Sequence, residues 1–259
     1  MPEARAGGGG IAVRREAACW TVALDRADKA NALSAPMVEA LIAALMQAEA
    51  ARIPVVAFRG EGKNLSAGFD FTGYESESEG DLLQRFVRIE SLLQAIARSP
   101  CLTVAFAHGR NFGAGADLFA ACRWRIAAPG STFRMPGLAF GLVLGTRRFA
   151  ALVGRDDARE ILESASTFGA ERAHALGFAR RIAAEDAWPS IVDEACAAAR
   201  VLPEPGRAAL YRTLDGGTDD ADLADLVRSA SAPGLKGRIA AYLAKVPGVS
   251  AGSASARAS

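Results

Sequence analysis

Apolar and polar positions alternate in blocks along the chain. Cys19-Trp20-Thr21-Val22-Ala23-Leu24 is a β-prone run, followed by Ser34 in the position of a helix cap, with Pro36 and Met37 early and apolar residues through Leu45. Val55 to Phe58 reads as a buried strand and 61–70 as a loop. Asp81 to Arg98 then carries Leu82, Phe86, Ile89, Leu93 and Ile96 at helical spacing. The pattern recurs with a strand over Leu102 to Phe106, an alanine-rich helix over Gly113 to Cys122 and a short strand over Arg123 to Ala127. Repetition of strand, loop and helix predicts an α/β fold with a site at strand ends.

Beyond this point helical patterns dominate. Ala150 to Ser164, Ala170 to Leu176 and Pro189 to Leu202 read as helices, and Pro203-Glu204-Pro205-Gly206 as a break. Residues from about Ala208 to Lys245 read as a smaller helical module. Met1 to Gly10, with four consecutive glycines, and Pro247 to Ser259, rich in Ser, Ala and Gly, are expected to be flexible.

Composition narrows the function classes. The 259 residues are 51% hydrophobic and carry a net charge of +1, which supplies a full core and no bulk attraction to nucleic acid or an anionic membrane. No apolar run approaches the ~18 residues that span a bilayer, and the first ten residues lack the apolar core of a signal peptide, so a cytoplasmic location is expected. The four cysteines (Cys19, Cys101, Cys122, Cys196) form no C-x-x-C pair and read as reduced, buried residues; with His108 and His174 the only histidines, no metal site is expected. A histidine-dependent nucleophilic triad is equally strained, because no G-x-S-x-G accompanies His108.

Candidate chemistry sits in two glycine-containing stretches, Ser66-Ala67-Gly68-Phe69-Asp70 and Gly109-Arg110-Asn111-Phe112-Gly113-Ala114-Gly115-Ala116-Asp117. Each follows a β-prone run, so each presents free backbone N–H groups where a strand gives way to a loop or helix, and two such donors can hold one developing negative oxygen. Taken alone, these glycines also suit turns and close packing. Asp117 falls in the first turn of a helix, where a carboxylate complements the dipole with or without chemistry. Asp70 suits hydrogen bonding within its own loop, and His108 suits a structural hydrogen bond. Glu75, Glu77, Glu79 and Asp81 form a charge run that reads as solvated or as a source of a surrogate acid; Arg147 and Arg148 read as helix-surface residues or as contacts for a carboxylate.

With Asp28-Lys29-Ala30-Asn31-Ala32-Leu33-Ser34, Phe133-Arg134-Met135-Pro136-Gly137-Leu138-Ala139-Phe140-Gly141-Leu142 and residues 170–178 in the same order, the chain resembles the enoyl-CoA hydratase/isomerase (crotonase) superfamily nearly end to end. The resemblance implies a crotonase-like spiral of repeated ββα units over 11–203. It also implies a helical C-terminal region over 204–246 used in homotrimers or dimers of trimers, an acyl-CoA thioester as substrate, and no separate cofactor beyond the coenzyme A the substrate brings. It places the oxyanion hole at the backbone N–H groups of Phe69 and Ala114. Substrate contacts are implied at Lys29, Ala30, Ala67, Gly68, Asp70 and Gly113, and in Ala241-Tyr242-Leu243-Ala244-Lys245 at Tyr242, flanking the adenine or pantetheine end, and at Lys245, meeting a phosphate.

The acids depart from the family pattern. Hydratases of the family place one Glu three residues after the oxyanion-hole residue and another just after the Pro of the Met135-Pro136-Gly137 segment; here these positions hold Asp117 and Gly137. A further position, acidic in some members, is Gly145. Hydration uses two carboxylates, whereas double-bond migration needs one group to take a proton and return it. Asp117 is therefore the candidate catalytic residue of a hydratase/isomerase-type enzyme that stabilises a thioester enolate. A related CoA-thioester hydrolase, decarboxylase or lyase, and a non-catalytic acyl-CoA-binding protein, remain as alternatives.

Overall fold

A computed structural model describes residues 6–214 and 216–245. Its main sheet has seven strands. β1 (Ala6–Gly8), β2 (Ile11–Arg15) and β3 (Cys19–Leu24) run antiparallel in turn, and β3 is followed in parallel by β4 (Val55–Gly60) and β5 (Leu102–Ala107). A second sheet stands beside it, with β6 (Arg110–Phe112) parallel to β8 (Thr132–Arg134) and β8 antiparallel to β9 (Thr167–Gly169). The main sheet takes β7 (Trp124–Ala127) next to β5 and closes with the two residues of β10 (Arg181–Ile182).

Side-chain alternation explains why the central strands read as continuous apolar runs. On β4, Val56 and Phe58 face one core while Val55 and Ala57 face the other, and β5 divides likewise. The smaller core is closed by α7 (Trp188–Val201) through Trp188, Ile191 and Ala195. The larger is closed by α1 (Ala35–Ala50), α2 (Glu79–Arg98) and α3 (Ala114–Ala121). α1 starts where expected, with Ser34 Oγ accepting from the Met37 N–H at 3.4 Å. α2 starts two residues earlier than its apolar stripe suggests, because Ser78 and Asp81 form a reciprocal capping box.

Three expectations need correction. The helix read over Ala150 to Ser164 is two helices, α4 (Thr146–Val153) and α5 (Arg155–Ser164), separated at Gly154 by its left-handed backbone (φ 87°). The break read over 203–206 is shorter. After α6 (Ala170–Ala175) and α7, α8 (Glu204–Leu214) begins at Glu204, because Pro205 fits the first turn of a helix, where its missing N–H costs nothing. Finally, the flexible start expected over 1–10 already contains β1, paired with β2 from Ala6 onward.

The helical module consists of α8, α9 (Asp219–Ala230) and α10 (Leu235–Leu243), in agreement with its pattern. The tail expected over 247–259 lies outside the described residues. Among the described residues no helix is long and apolar enough to cross a membrane, and all four cysteines are buried and form no disulfide.

Candidate active site

The two glycine stretches meet because their backbones are pressed together. A methyl group on Gly68 would come within 2.3 Å of Phe112 O and 3.1 Å of Ala114 N, and one on Gly115 within 2.3 Å of Ser66 O. Only glycine permits this approach. Two buried asparagines pin the loops: Asn31 donates to Glu61 O and Asn64 O at 2.8 and 2.9 Å, and Asn111 accepts from the Leu65 N–H at 3.1 Å while donating to His108 O. Ser66 Oγ ties the first loop to Asn31 O at 2.8 Å and accepts from the Gly68 N–H.

This packing sets the Ala114 amide against Gly68, the residue just before Phe69. Among the described residues no acceptor takes the Phe69 or the Ala114 N–H, whereas the amides that flank them in the loops are engaged: Asp70 N–H on Leu33 O and Gly113 N–H on Arg134 O. Both residues line a cavity of about 1150 Å³. Ala114 is also the first residue of α3, so the positive end of a helix dipole lies at the same place.

Exposed Lys29, Glu75 and Arg110 mark where the cavity meets solvent, and Phe69, Phe86, Met135 and Leu142 its interior. The interior is aromatic: Phe69 stacks on Phe86 at 4.3 Å between ring centres, and Phe140 meets Tyr242 of α10 at 5.1 Å. Ala30, Ala67, Asp70, Gly113 and Tyr242 also stand in the wall. Gly68 lies behind it. Lys245 is exposed just beyond α10 and is not part of the wall.

The acids sort sharply. Asp70 accepts from Arg26 at 2.8 Å and from the Thr72 N–H at 3.0 Å; burial works to raise its carboxyl, but these hydrogen bonds outweigh burial and hold it below the usual range. Asp117 is buried, its Oδ1 has no hydrogen-bond partner, and burial pushes its carboxyl well above the usual range. Arg148 pulls that carboxyl down and Glu90 pushes it up, both less than burial does. Its space is made by Gly145, the left-handed N-cap of α4: a Cβ there would lie 1.9 Å from Asp117 Oδ1.

No other acid of the predicted set reaches the interior. Gly137 opens a short helical turn over Gly137–Phe140 and has no side chain to offer. Glu77 pairs with Arg85, Asp81 caps α2, Glu79 accepts from the Lys236 N–H and Glu75 stays at the rim. Arg147 is taken up by Asp222 at 2.9 Å and by Asp225, both on α9. His108 Nε2 lies 2.9 Å from Gly62 O, away from the cavity, as a structural group.

A profile of the enoyl-CoA hydratase/isomerase family matches residues 14–219, which is most of the chain. The chain belongs to the enoyl-CoA hydratase/isomerase family. Among its relatives, echA6 of Mycobacterium bovis, named a probable enoyl-CoA hydratase, is 32% identical over 175 residues, covering 66% of this chain and 70% of that protein. A Bacillus subtilis protein named in the same way is 31% identical over 193 residues, covering 72% and 73%. A solved structure of a provisionally designated enoyl-CoA hydratase/isomerase from Bordetella parapertussis superposes with a TM-score of 0.90 at 56% identity, covering 92% of this chain and 99% of that one. Enoyl-CoA hydratase from Bacillus halodurans shares the fold at a TM-score of 0.78 and 20% identity, covering 90% and 99%. This enoyl-CoA hydratase/isomerase family member is thus an acyl-CoA enzyme with the crotonase fold, and its cavity is the place to look for the reaction.

One buried ion pair in the site's surroundings was not legible from sequence: Glu90, with Arg148 as its partner. Glu90 interrupts the apolar stripe of α2, one residue after Ile89 and three before Leu93, and a charge on the buried face of a helix is the clue that could have found it.

Proposed function

We propose that the cavity binds an acyl-CoA thioester with its carbonyl oxygen between the N–H groups of Phe69 and Ala114, and that Asp117 moves the proton in a double-bond migration. The observation that carries this reading is Asp117 itself, a buried acid with an unpaired oxygen in the wall that holds two unengaged amides; among the described residues the other carboxylates of that wall are Asp70, engaged by Arg26 and Thr72, and Glu75, at the exposed rim. Ionised Asp117 takes a proton from the carbon next to the thioester carbonyl, and negative charge moves onto the carbonyl oxygen. Each backbone donor there is worth about 3–4 kcal/mol of barrier. The carboxylic acid so formed returns the proton two carbons further along, which moves the double bond into conjugation. A raised carboxyl suits both halves, since it is a stronger base when ionised and keeps its proton until the acceptor carbon is ready.

Lys29 and Arg110 supply positive charge at the solvent edge for the phosphates of coenzyme A, and Tyr242 supplies an aromatic face for the bound thioester. Exposed apolar side chains at Val201, Leu202, Leu210 and Leu214 of the α7–α8 region support self-association, read by sedimentation of the purified protein, with trimers as the expected species.

The deciding experiment offers trans-3-hexenoyl-CoA and crotonyl-CoA separately to the purified protein, with chromatographic separation of isomers before mass spectrometry. The expected outcome is conversion of the first to its trans-2 isomer, slow hydration of the second, and a loss of about 10²- to 10⁴-fold in isomerisation on Asp117→Asn. Rapid formation of the 3-hydroxyacyl product, or full turnover by the Asn variant, contradicts the assignment; binding without any turnover makes the protein an acyl-CoA carrier instead.

A further inference from the structure

At and behind the cavity wall, three charged side chains from three helices converge, two of them buried carboxylates and the third a largely buried arginine. Glu90 of α2 is only 1% exposed; its Oε1 accepts from Arg148 Nη2 at 3.3 Å and from Gln94 Nε2 at 3.0 Å, while its Oε2 has no hydrogen-bond partner among the described residues. Arg148 lies three residues into the α4 helix whose N-cap, Gly145, abuts the Asp117 carboxylate of α3. Its Nη1 is likewise buried and without an acceptor. Thus Asp117, Arg148 and Glu90 each keep one unsatisfied polar atom in the same small region, an arrangement that buried charges rarely tolerate without a functional reason.

Two carboxylates face one guanidinium here. Fully ionised, the cluster carries one net negative charge away from water, and a single proton cancels it. We propose that Glu90 and Arg148 are positioning residues that set the protonation state of Asp117: Arg148 favours its ionised form, and Glu90, by competing for Arg148, favours its acid form. Neither lines the cavity, so both act through Asp117.

The surrounding charges leave this balance to the three residues. From α9, Asp222 faces Glu90 but is itself held by Arg147 at 2.9 Å, and Asp225 is also engaged by Arg147 and by Arg228. Gln94, on α2 itself, is neutral and donates to the backbone O of Asp219, whose carboxylate pairs with Arg98. Burial is the largest influence on both carboxyls and raises both, Arg148 opposes it at both, and Asp222 adds to it only at Glu90.

The consequence for turnover rests on the proton-shuttle reading of Asp117, whereas the coupling itself does not. It is tested by carbon-13 NMR of protein labelled at aspartate side-chain carboxyls, with the Asp117 signal assigned by its loss in Asp117→Asn. Glu90→Gln, which keeps shape and removes charge, is expected to lower the titration midpoint of Asp117 by about one pH unit or more, and Arg148→Gln to raise it. Glu90→Asp, which restores the charge, is expected to return the midpoint toward the wild-type value. An unchanged midpoint in Glu90→Gln overturns the proposal, as does a shift in the same direction for both charge-removing variants, which is what mere loosening would produce. Because Glu90→Gln is isosteric, it decides the question even if Arg148→Gln does not fold. In the pH profile of trans-3-hexenoyl-CoA turnover, the rising limb is expected to move with the NMR midpoint; a midpoint that moves while the limb stays still leaves the coupling standing and removes Asp117 from the proton transfer.

Discussion

Asp70 and Asp117 stand in the wall of one cavity, each the last residue of one of the two glycine stretches, and are buried almost alike, at 6% and 2% exposure. Their chemistry is opposite. Asp70 has a guanidinium and a backbone N–H on its oxygens and is held as a fixed anion that braces its loop. Asp117 has burial without compensation at Oδ1 and is held toward its acid form. Partners, not depth, decide whether a buried carboxylate is scaffolding or a group able to exchange a proton.

Substitutions can break this contrast. The largest effect is expected from Asp117→Asn, which should remove about 10²- to 10⁴-fold of turnover while the fold persists, whereas Asp70→Asn should change the chemical step far less. Gly145→Ala comes next. A methyl group 1.9 Å from Oδ1 must displace the Asp117 carboxylate, and a shift of ~1 Å in a reacting group costs ~100-fold in kcat. The left-handed backbone at that position adds about 1–2 kcal/mol of strain, so denaturant titration should report lost stability alongside lost rate.

Asp70→Asn should then show its effect in stability. Losing a charged acceptor for Arg26 and Thr72 is expected to cost about 1–3 kcal/mol, or roughly 2–4 °C of melting temperature for each kcal/mol. The smallest effects sharpen the comparison through pH. Asp70, lowered in the folded state, contributes stability present above its unfolded value and lost as pH falls through its folded value; Asp117, raised, contributes stability present below its unfolded value and lost as pH rises through its folded one. Melting curves of Asp70→Asn should therefore diverge from wild type least in acid, and those of Asp117→Asn should fall off less on the alkaline side.

The backbone half of the site was legible from sequence, because glycine is required at 68 and 115, where a Cβ would lie 2.3 Å from the facing backbone oxygen, and strand-then-glycine patterns announce such places. The central strands and α1 were legible for the same reason: burial on both faces and a capping serine leave local marks. Strands β6, β8, β9 and β10, at two or three residues each, are too short for any periodicity to register and exist only through their neighbours. The side-chain half depends on contacts across long stretches of chain. Arg148 meets Glu90 from 58 residues away, and Gly145 makes room for Asp117 only once α4 has docked on α3. Arg147 looked equivalent to Arg148, yet it turns outward to α9, a difference that one position of helical rotation creates.

We propose that this cavity makes an enolate at Phe69 and Ala114 and that Asp117 handles its proton. Deuterium exchange at the carbon next to the thioester carbonyl tests it most directly: butyryl-CoA, which has no double bond to move or hydrate, is incubated with the protein in D₂O and followed by proton NMR. Loss of that carbon's proton signal with the wild-type protein, and its retention with Asp117→Asn, is the expected result. Equal exchange by both proteins, or retention by both while butyryl-CoA is shown to be bound, would overturn this assignment.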